Sequence, residues 1–371
     1  MSTPRLKADK AGGADINILN IADTISVLRY SLLADQPVGL EGPPGIGKSA
    51  VVGQVAKSIN MAFEPMILSL CDPTDIGGFP VVTDGQVTRL PLGPIRRACE
   101  EPVILFLDEL TCAPPAVQGA AMRLIYERYA GEQKLHPGTR IVTAYNPADQ
   151  AAGGWELALP LIGRMTKICM RPELKEIQEY LFTLGHEQST LRALAVDLSA
   201  TLQVAPDLIQ IDPPAGGQTS GEPWGAPRSW ERALRVAAAA IDDKVKDTSQ
   251  VFGSLIAGNV GSQQAASFMT IRKVRASLPS VDEVKTKPEK AMLPADQNAH
   301  VAIIGIVAQV ALQDSCAAWI YCDRLENETR VAALHTISKF DLNIHKNSPF
   351  YEKAKKAQVS LVKTITKLVK N

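Results

Sequence analysis

The stretch Gly42-Pro43-Pro44-Gly45-Ile46-Gly47-Lys48-Ser49 decides the fold. It is a G-x-x-x-x-G-K-[ST] match, set between an apolar β-type run at 38–40 and a helical pattern at 49–59. Glycines let backbone amides approach phosphate oxygens, and the following helix turns its positive end toward them. Lys48 is placed to reach the terminal phosphates, and the Ser49 hydroxyl suits a magnesium ion. The residues expected to cradle a nucleotide are Gly42, Pro43, Pro44, Gly45, Ile46, Gly47, Lys48, Ser49 and Ala50. A plain glycine-rich turn is the alternative, and the strand–loop–helix context argues against it.

Working outward, apolar runs at 38–40, 65–70, 103–107, 140–145 and 165–170 read as five strands. Their continuous apolar character suits a parallel sheet covered on both faces. Helical patterns at 49–59 and 116–129 lie between them, which predicts an α/β domain with right-handed crossovers. The crossover at 71–102 contains VVT-DG-QVT, where Asp84-Gly85 is a two-residue hairpin signal between β-branched flanks. After residue 170 the strands stop. Helical spacing returns at 172–182 and 190–202, a Pro/Gly-rich loop follows, and Pro227 opens a further helix. Residues 281–296 read as a linker and 297–371 as more helices.

A second motif lies sixty residues beyond Lys48. The run Val103-Ile-Leu-Phe-Leu-Asp108-Glu109 is a buried strand ending in two carboxylates. Asp108 is placed to hold a metal through water, and Glu109 to orient and deprotonate an attacking water. The next strand, RIVTAY, ends in Asn146-Pro147 beside the edge where ligands bind in open α/β sheets. Asn146 there either orients the lytic water and senses the γ-phosphate or simply initiates an Asn-Pro turn. Ser69, at the end of the second strand, is placed to relay nucleotide state toward the hairpin.

Composition removes several classes. With 371 residues the prior is two or three domains at roughly 150 residues each. Thirty-nine basic residues balance thirty-nine acidic ones, which disfavours a nucleic-acid coat. The six cysteines form no C-x-x-C, so they read as reduced, packed thiols in a cytoplasmic protein. No apolar run approaches the ~20 residues of a membrane span, and the N-terminus lacks a secretory h-region. No N-K-x-D tetrapeptide appears, so guanine reading is disfavoured.

Together these residues resemble the AAA+ ATPases, and within them the MoxR-like group. Similar segments include DPTDIGG at 72–78, GPIRRA at 93–98, LDELTCAPPAVQGAAMRLIYERYA at 107–130 and TAYNPAD at 143–149. The resemblance covers about residues 15–275. It implies a five-stranded core at 15–170, an all-α lid at 171–280, and ATP with Mg²⁺ hydrolysed by a ring, usually hexameric. Residues 1–14 would then be a flexible N-terminus and 297–371 a C-terminal helical extension. It further implies that the DG hairpin is the helix-2 insert, facing the ring's pore, and that 132–138 is a second pore-facing insertion.

Two arginines follow from the resemblance. Arg164 occupies the place of the arginine finger, with Gly163-Arg164-Met165 where the family more often has D-R-F. Arg228, in GAPRSW, matches the lid's sensor-2 arginine. Arg123 and Arg128 flank the same region and are taken as structural. The resemblance implies a chaperone-like remodeller acting on a protein partner, often a von Willebrand factor A-domain protein. A nucleic-acid motor and a nucleotide-gated scaffold are the alternatives. Residues 79–90, with one Arg and one Asp, give a nucleic-acid motor little support. The tail at 346–371 carries seven Lys and one Glu, so the zero net charge is +6 there and −6 elsewhere. Its helical wheel gathers Leu361, Val362, Ile365, Leu368 and Val369, which reads as a docked basic helix.

Overall fold

Strand-forming and helix-forming segments separate at residue 172. A computed structural model of the chain describes residues 18–368 apart from 151–153, 186–187, 203–204, 215–220, 276, 296 and 339–341. It divides into two compact units, Met1–Pro172 and Glu173–Asn371. The N-terminus at 1–14 lies outside the described residues, as do the tail side chains from 360 on, which include the apolar face read there.

The first unit is built on a parallel six-stranded sheet. Its strands are β1 (Ile18–Leu19), β2 (Val38–Glu41), β3 (Ala62–Ile67), β6 (Val103–Asp108), β9 (Arg140–Tyr145) and β10 (Thr166–Met170). Their order across the sheet is β1-β10-β2-β9-β6-β3, all parallel. Five strands were expected and six are found. The extra one, β1, is two residues long, too short to leave a pattern, and is defined by its register Ile18↔Cys169. The expected strand at 65–70 lies further back, at Ala62–Ile67, and Leu68–Leu70 closes into a 3₁₀ turn. Half-exposed β3 sits at the sheet edge, where an apolar run is a poor guide to strand limits.

Helices α1 (Ile21–Leu33), α2 (Lys48–Ser58), α4 (Gly93–Glu100) and α5 (Pro115–Glu127) connect these strands. A short α3 (Pro73–Gly77) starts with a reciprocal Asp72–Asp75 capping box. It leads into the predicted hairpin, β4 (Phe79–Thr83) and β5 (Gln86–Leu90). Asp84 and Gly85 turn it with φ of 52° and 75°, the two positive values a type I′ turn needs. A second small hairpin pairs β7 (Tyr129–Ala130) with β8 (Gln133–Lys134); β8 overlaps the segment 132–138 and β7 precedes it. The two hairpins touch: the Arg89 N–H donates to Glu132 Oε2 at 2.6 Å. A Cβ at Gly131 would lie 2.7 Å from the Gly77 carbonyl oxygen, so that close approach requires glycine.

The second unit is helical. Helices α6 (Leu174–Thr183) and α7 (Ser189–Thr201) share one core with the helices Pro227–Asp242, Gln250–Val260 and Ser262–Arg275. Trp230 meets Phe268 edge-on at 5.3 Å in that core. A second core gathers Gln297–Gln313, Ser315–Cys322 and Asn327–Ile337. Residues 281–296, expected as a linker, include a helix at Val281–Thr286. Ser280 caps it, and Val284 joins the second core. Arg272, buried, bridges Asp197 at 2.6 Å and Asp247 at 2.5 Å. Among the described residues, no helix is long and apolar enough to cross a membrane.

Candidate functional site

Strand register assembles the site. In β6 the residues Val103 to Leu107 are all buried, each side chain contributing roughly 1.5–3 kcal/mol. Asp108 is the first polar group where that strand leaves the core. The P-loop strand β2 lies between β10 and β9, and Glu41 pairs with Tyr145. Gly42 and Asn146, the residues that follow, are thereby neighbours. The Gly42 N–H donates to the Tyr145 carbonyl oxygen at 3.2 Å, tying the loop to the end of β9. On the other side Ile67 pairs with Asp108, which brings the 3₁₀ turn carrying Ser69 beside Glu109.

The loop itself requires its glycines. Gly45 and Gly47 have φ of 81° and 93°, left-handed values that penalise any side chain. A Cβ at Gly42 would stand 2.7 Å from the Met170 carbonyl oxygen and 2.8 Å from Ile46 Cδ1. Gly47 caps helix α2, whose first residue is Lys48, so the helix's unpaired N–H groups face the loop. Lys48 is buried. Its Nζ donates to Gly42 O at 2.6 Å, Pro43 O at 3.0 Å and Asn146 Oδ1 at 2.8 Å. One ammonium thus links loop and β9 end, a pairing the sequence did not announce because the partners are ninety-eight residues apart.

Ser49 Oγ donates to Asp108 Oδ2 at 3.0 Å. Two hard oxygens at this spacing, one of them anionic, are a donor set that fits magnesium. Glu109 turns sharply out of β6 with φ of 58°, and its N–H donates to Asp108 Oδ1 at 2.9 Å. Its exposed carboxylate accepts a hydrogen bond from Ser69 Oγ. Ser69, expected to relay nucleotide state toward the hairpin, is therefore in direct contact with Glu109. Cys112, nearby, keeps its proton: burial first, then the charge of Glu109, raises its thiol above the ordinary value. None of the six cysteines forms a disulfide.

The remaining candidates stand elsewhere. Arg164 precedes β10, whose first residue Thr166 pairs with Val38 and donates to Pro37 O at 2.8 Å. That is the entry end of β2, whereas the P-loop leaves its exit end. Three strand residues, or about 10 Å, separate the two ends before the loop begins. The exposed Arg164 guanidinium stacks on Tyr126, 4.1 Å from the ring centroid, and Nη1 donates to Pro160 O at 3.1 Å. Arg228 is exposed in the first turn of the helix Pro227–Asp242, in the second unit. Arg123 pairs with Glu127 at 2.9 Å and Arg128 binds the Thr139 carbonyl, contacts suited to structural residues. Sequence reasoning gave Tyr126 no role, since nothing in its local pattern points to an arginine thirty-eight residues on.

Residues 37–165 match the family described as AAA domain (dynein-related subfamily). The fold and this match define the first unit as an AAA+ ATPase domain, and such a domain binds nucleotide. It is similar to protein MoxR of Methylorubrum extorquens, 29% identical over 106 residues, 28% of this chain and 31% of that one. An AAA ATPase forming ring-shaped complexes from Corynebacterium jeikeium is 31% identical over 117 residues, 29% of this chain and 22% of that one. Protein NorQ of Paracoccus denitrificans is 29% identical over 139 residues, 34% and 50% of the two chains. These matches span at most half the length of each relative. Over the matched residues the domain is similar to the MoxR-like AAA+ ATPases.

Proposed function

We propose that the chain hydrolyses ATP as one subunit of a homo-oligomeric ring in the cytoplasm, a hexamer by analogy with its family. Turnover would remodel or activate a protein partner, a von Willebrand factor A-domain protein being one candidate. One observation carries this reading. Lys48, Ser49, Asp108, Glu109 and Asn146 converge at the exit ends of the strands, while Arg164 sits at the entry end. A finger there has no route to its own P-loop, so it serves a neighbouring copy.

In this reading the backbone N–H groups of residues 45–50 and the Lys48 ammonium bind the polyphosphate, with Gly42, Pro43 and Pro44 shaping the loop around it. Ser49 and Asp108 would hold Mg²⁺, which supplies charge neutralisation to the phosphates. Glu109 accepts the proton of the attacking water, and Asn146 orients that water. Arg164 from the next copy, and Arg228 from the lid, stabilise charge on the transferred phosphoryl group. Lys48→Ala removes a buried cationic donor, so nucleotide affinity measured by titration calorimetry should fall about 10- to 100-fold.

In this reading the chain is laid out as a core at 15–170, a lid at 171–280, a linker at 281–296 and a helical extension at 297–371. The β4–β5 hairpin would be the helix-2 insert facing the pore. It exposes Phe79, Val82 and Val87, with Val82 at 74%, an apolar surface that suits polypeptide better than a phosphate backbone. Sedimentation of the Glu109→Gln chain tests assembly. With Mg²⁺ and ATP it should run as a particle of several copies, and a chain that stays monomeric contradicts the ring. ATPase stimulation by DNA with a steep salt dependence would replace the protein-remodelling reading with a nucleic-acid motor.

A further inference from the structure

We infer that Tyr126 is a positioning residue for Arg164, holding the guanidinium extended and uncompensated for an anion on a neighbouring copy. This rests on the reading of Arg164 as a finger acting in trans. Tyr126 lies in the last turn of α5 and is 60% exposed, a large apolar ring left in water. Its one described partner is the Arg164 guanidinium, 4.1 Å from the ring centroid. No described hydrogen bond involves the Tyr126 hydroxyl, so the ring face is what the structure uses.

The choice of an aromatic partner has a chemical consequence. A carboxylate would hold an arginine equally well but would neutralise it and occupy its fork. An aromatic face attracts the cation through its quadrupole and leaves the charge and the in-plane N–H donors available. A carboxylate is in fact close by: Asp35 lines the same cavity of about 310 Å³ as Tyr126, Arg128 and Arg164. Asp35 is committed to Arg140 at 3.1 Å and Arg128 at 3.6 Å, and among the described residues no carboxylate pairs with Arg164. Arg164 spends a single described donor, on Pro160 O. The remaining N–H groups match the bidentate geometry of a phosphate.

Holding a flexible arginine in this pose reduces the rotamer freedom it must lose when a neighbour docks. The test is steady-state ATPase activity of full-length Tyr126→Leu and Tyr126→Phe beside Arg164→Ala. Leucine keeps bulk at an exposed position and removes the quadrupole; phenylalanine keeps the ring and removes only the hydroxyl. Tyr126→Leu should lower kcat about 2- to 5-fold with KM for ATP unchanged, because the finger does not touch its own subunit's nucleotide. Tyr126→Phe should restore the native kcat. Native kcat in Tyr126→Leu, a loss that phenylalanine does not rescue, or a loss accompanied by a raised KM each overturn the inference. If Arg164→Ala itself keeps native kcat, the finger reading fails first and the inference falls with it.

Discussion

The Glu109→Gln chain is expected to bind ATP as the native chain does and to hydrolyse it about 10²- to 10⁴-fold more slowly, the range of a single general base. Glutamine is isosteric, so its amide oxygen still accepts the hydrogen bond from Ser69 Oγ, and the left-handed turn at residue 109 is kept. Asp108 keeps both its bond to Ser49 and the one from the residue 109 N–H. What disappears is the basic oxygen that takes the proton from water. Phosphate release read alongside equilibrium nucleotide binding separates the two effects. Unchanged turnover would mean that another group activates water and that the carboxylate at the end of β6 is an ordinary strand terminus.

The second large effect concerns Arg164. Replacing it by Ala should lower kcat by about 10³- to 10⁵-fold, the range found when a finger arginine is supplied or withheld. Nucleotide affinity of the mutated chain should barely change, since Arg164 stands at the entry end of β2 and the P-loop at its exit end. Lysine should recover little. An ammonium keeps the charge but loses the planar fork that spans two phosphate oxygens, and it stacks less well on Tyr126. A fall in affinity matching the fall in kcat would show instead that Arg164 supports its own subunit's fold or nucleotide.

Much of this was legible in the sequence because its signals are local. The glycines of 42–47 announce a loop that only they permit, and the apolar run 103–107 announces a buried strand ending in carboxylates. Asp84-Gly85 specified its hairpin turn outright. What was not legible depends on register between distant segments. Ser69 meets Glu109 because Ile67 pairs with Asp108, and Lys48 meets Asn146 because Glu41 pairs with Tyr145. Neither pairing is written in either strand alone. Strand β1 escaped because two residues carry no period, and the helix at Val281–Thr286 escaped because the flanking Pro and Lys content masked its Ser280 cap. The Tyr126–Arg164 stack joins a helix end to a loop and has no sequence signature at all.

The proposed ring divides the catalytic set between copies of the chain. Mixing settles it most directly. Lys48→Ala chains lack a working P-loop but keep Arg164, and Arg164→Ala chains keep the P-loop but lack the finger. Each alone should be nearly inactive. Mixed in equal amounts with Mg²⁺ and ATP, random assembly joins an intact P-loop to an intact finger at about a quarter of the interfaces. ATPase activity should therefore return to roughly that fraction of the native rate. A mixture no more active than its components would contradict a site completed by a neighbour.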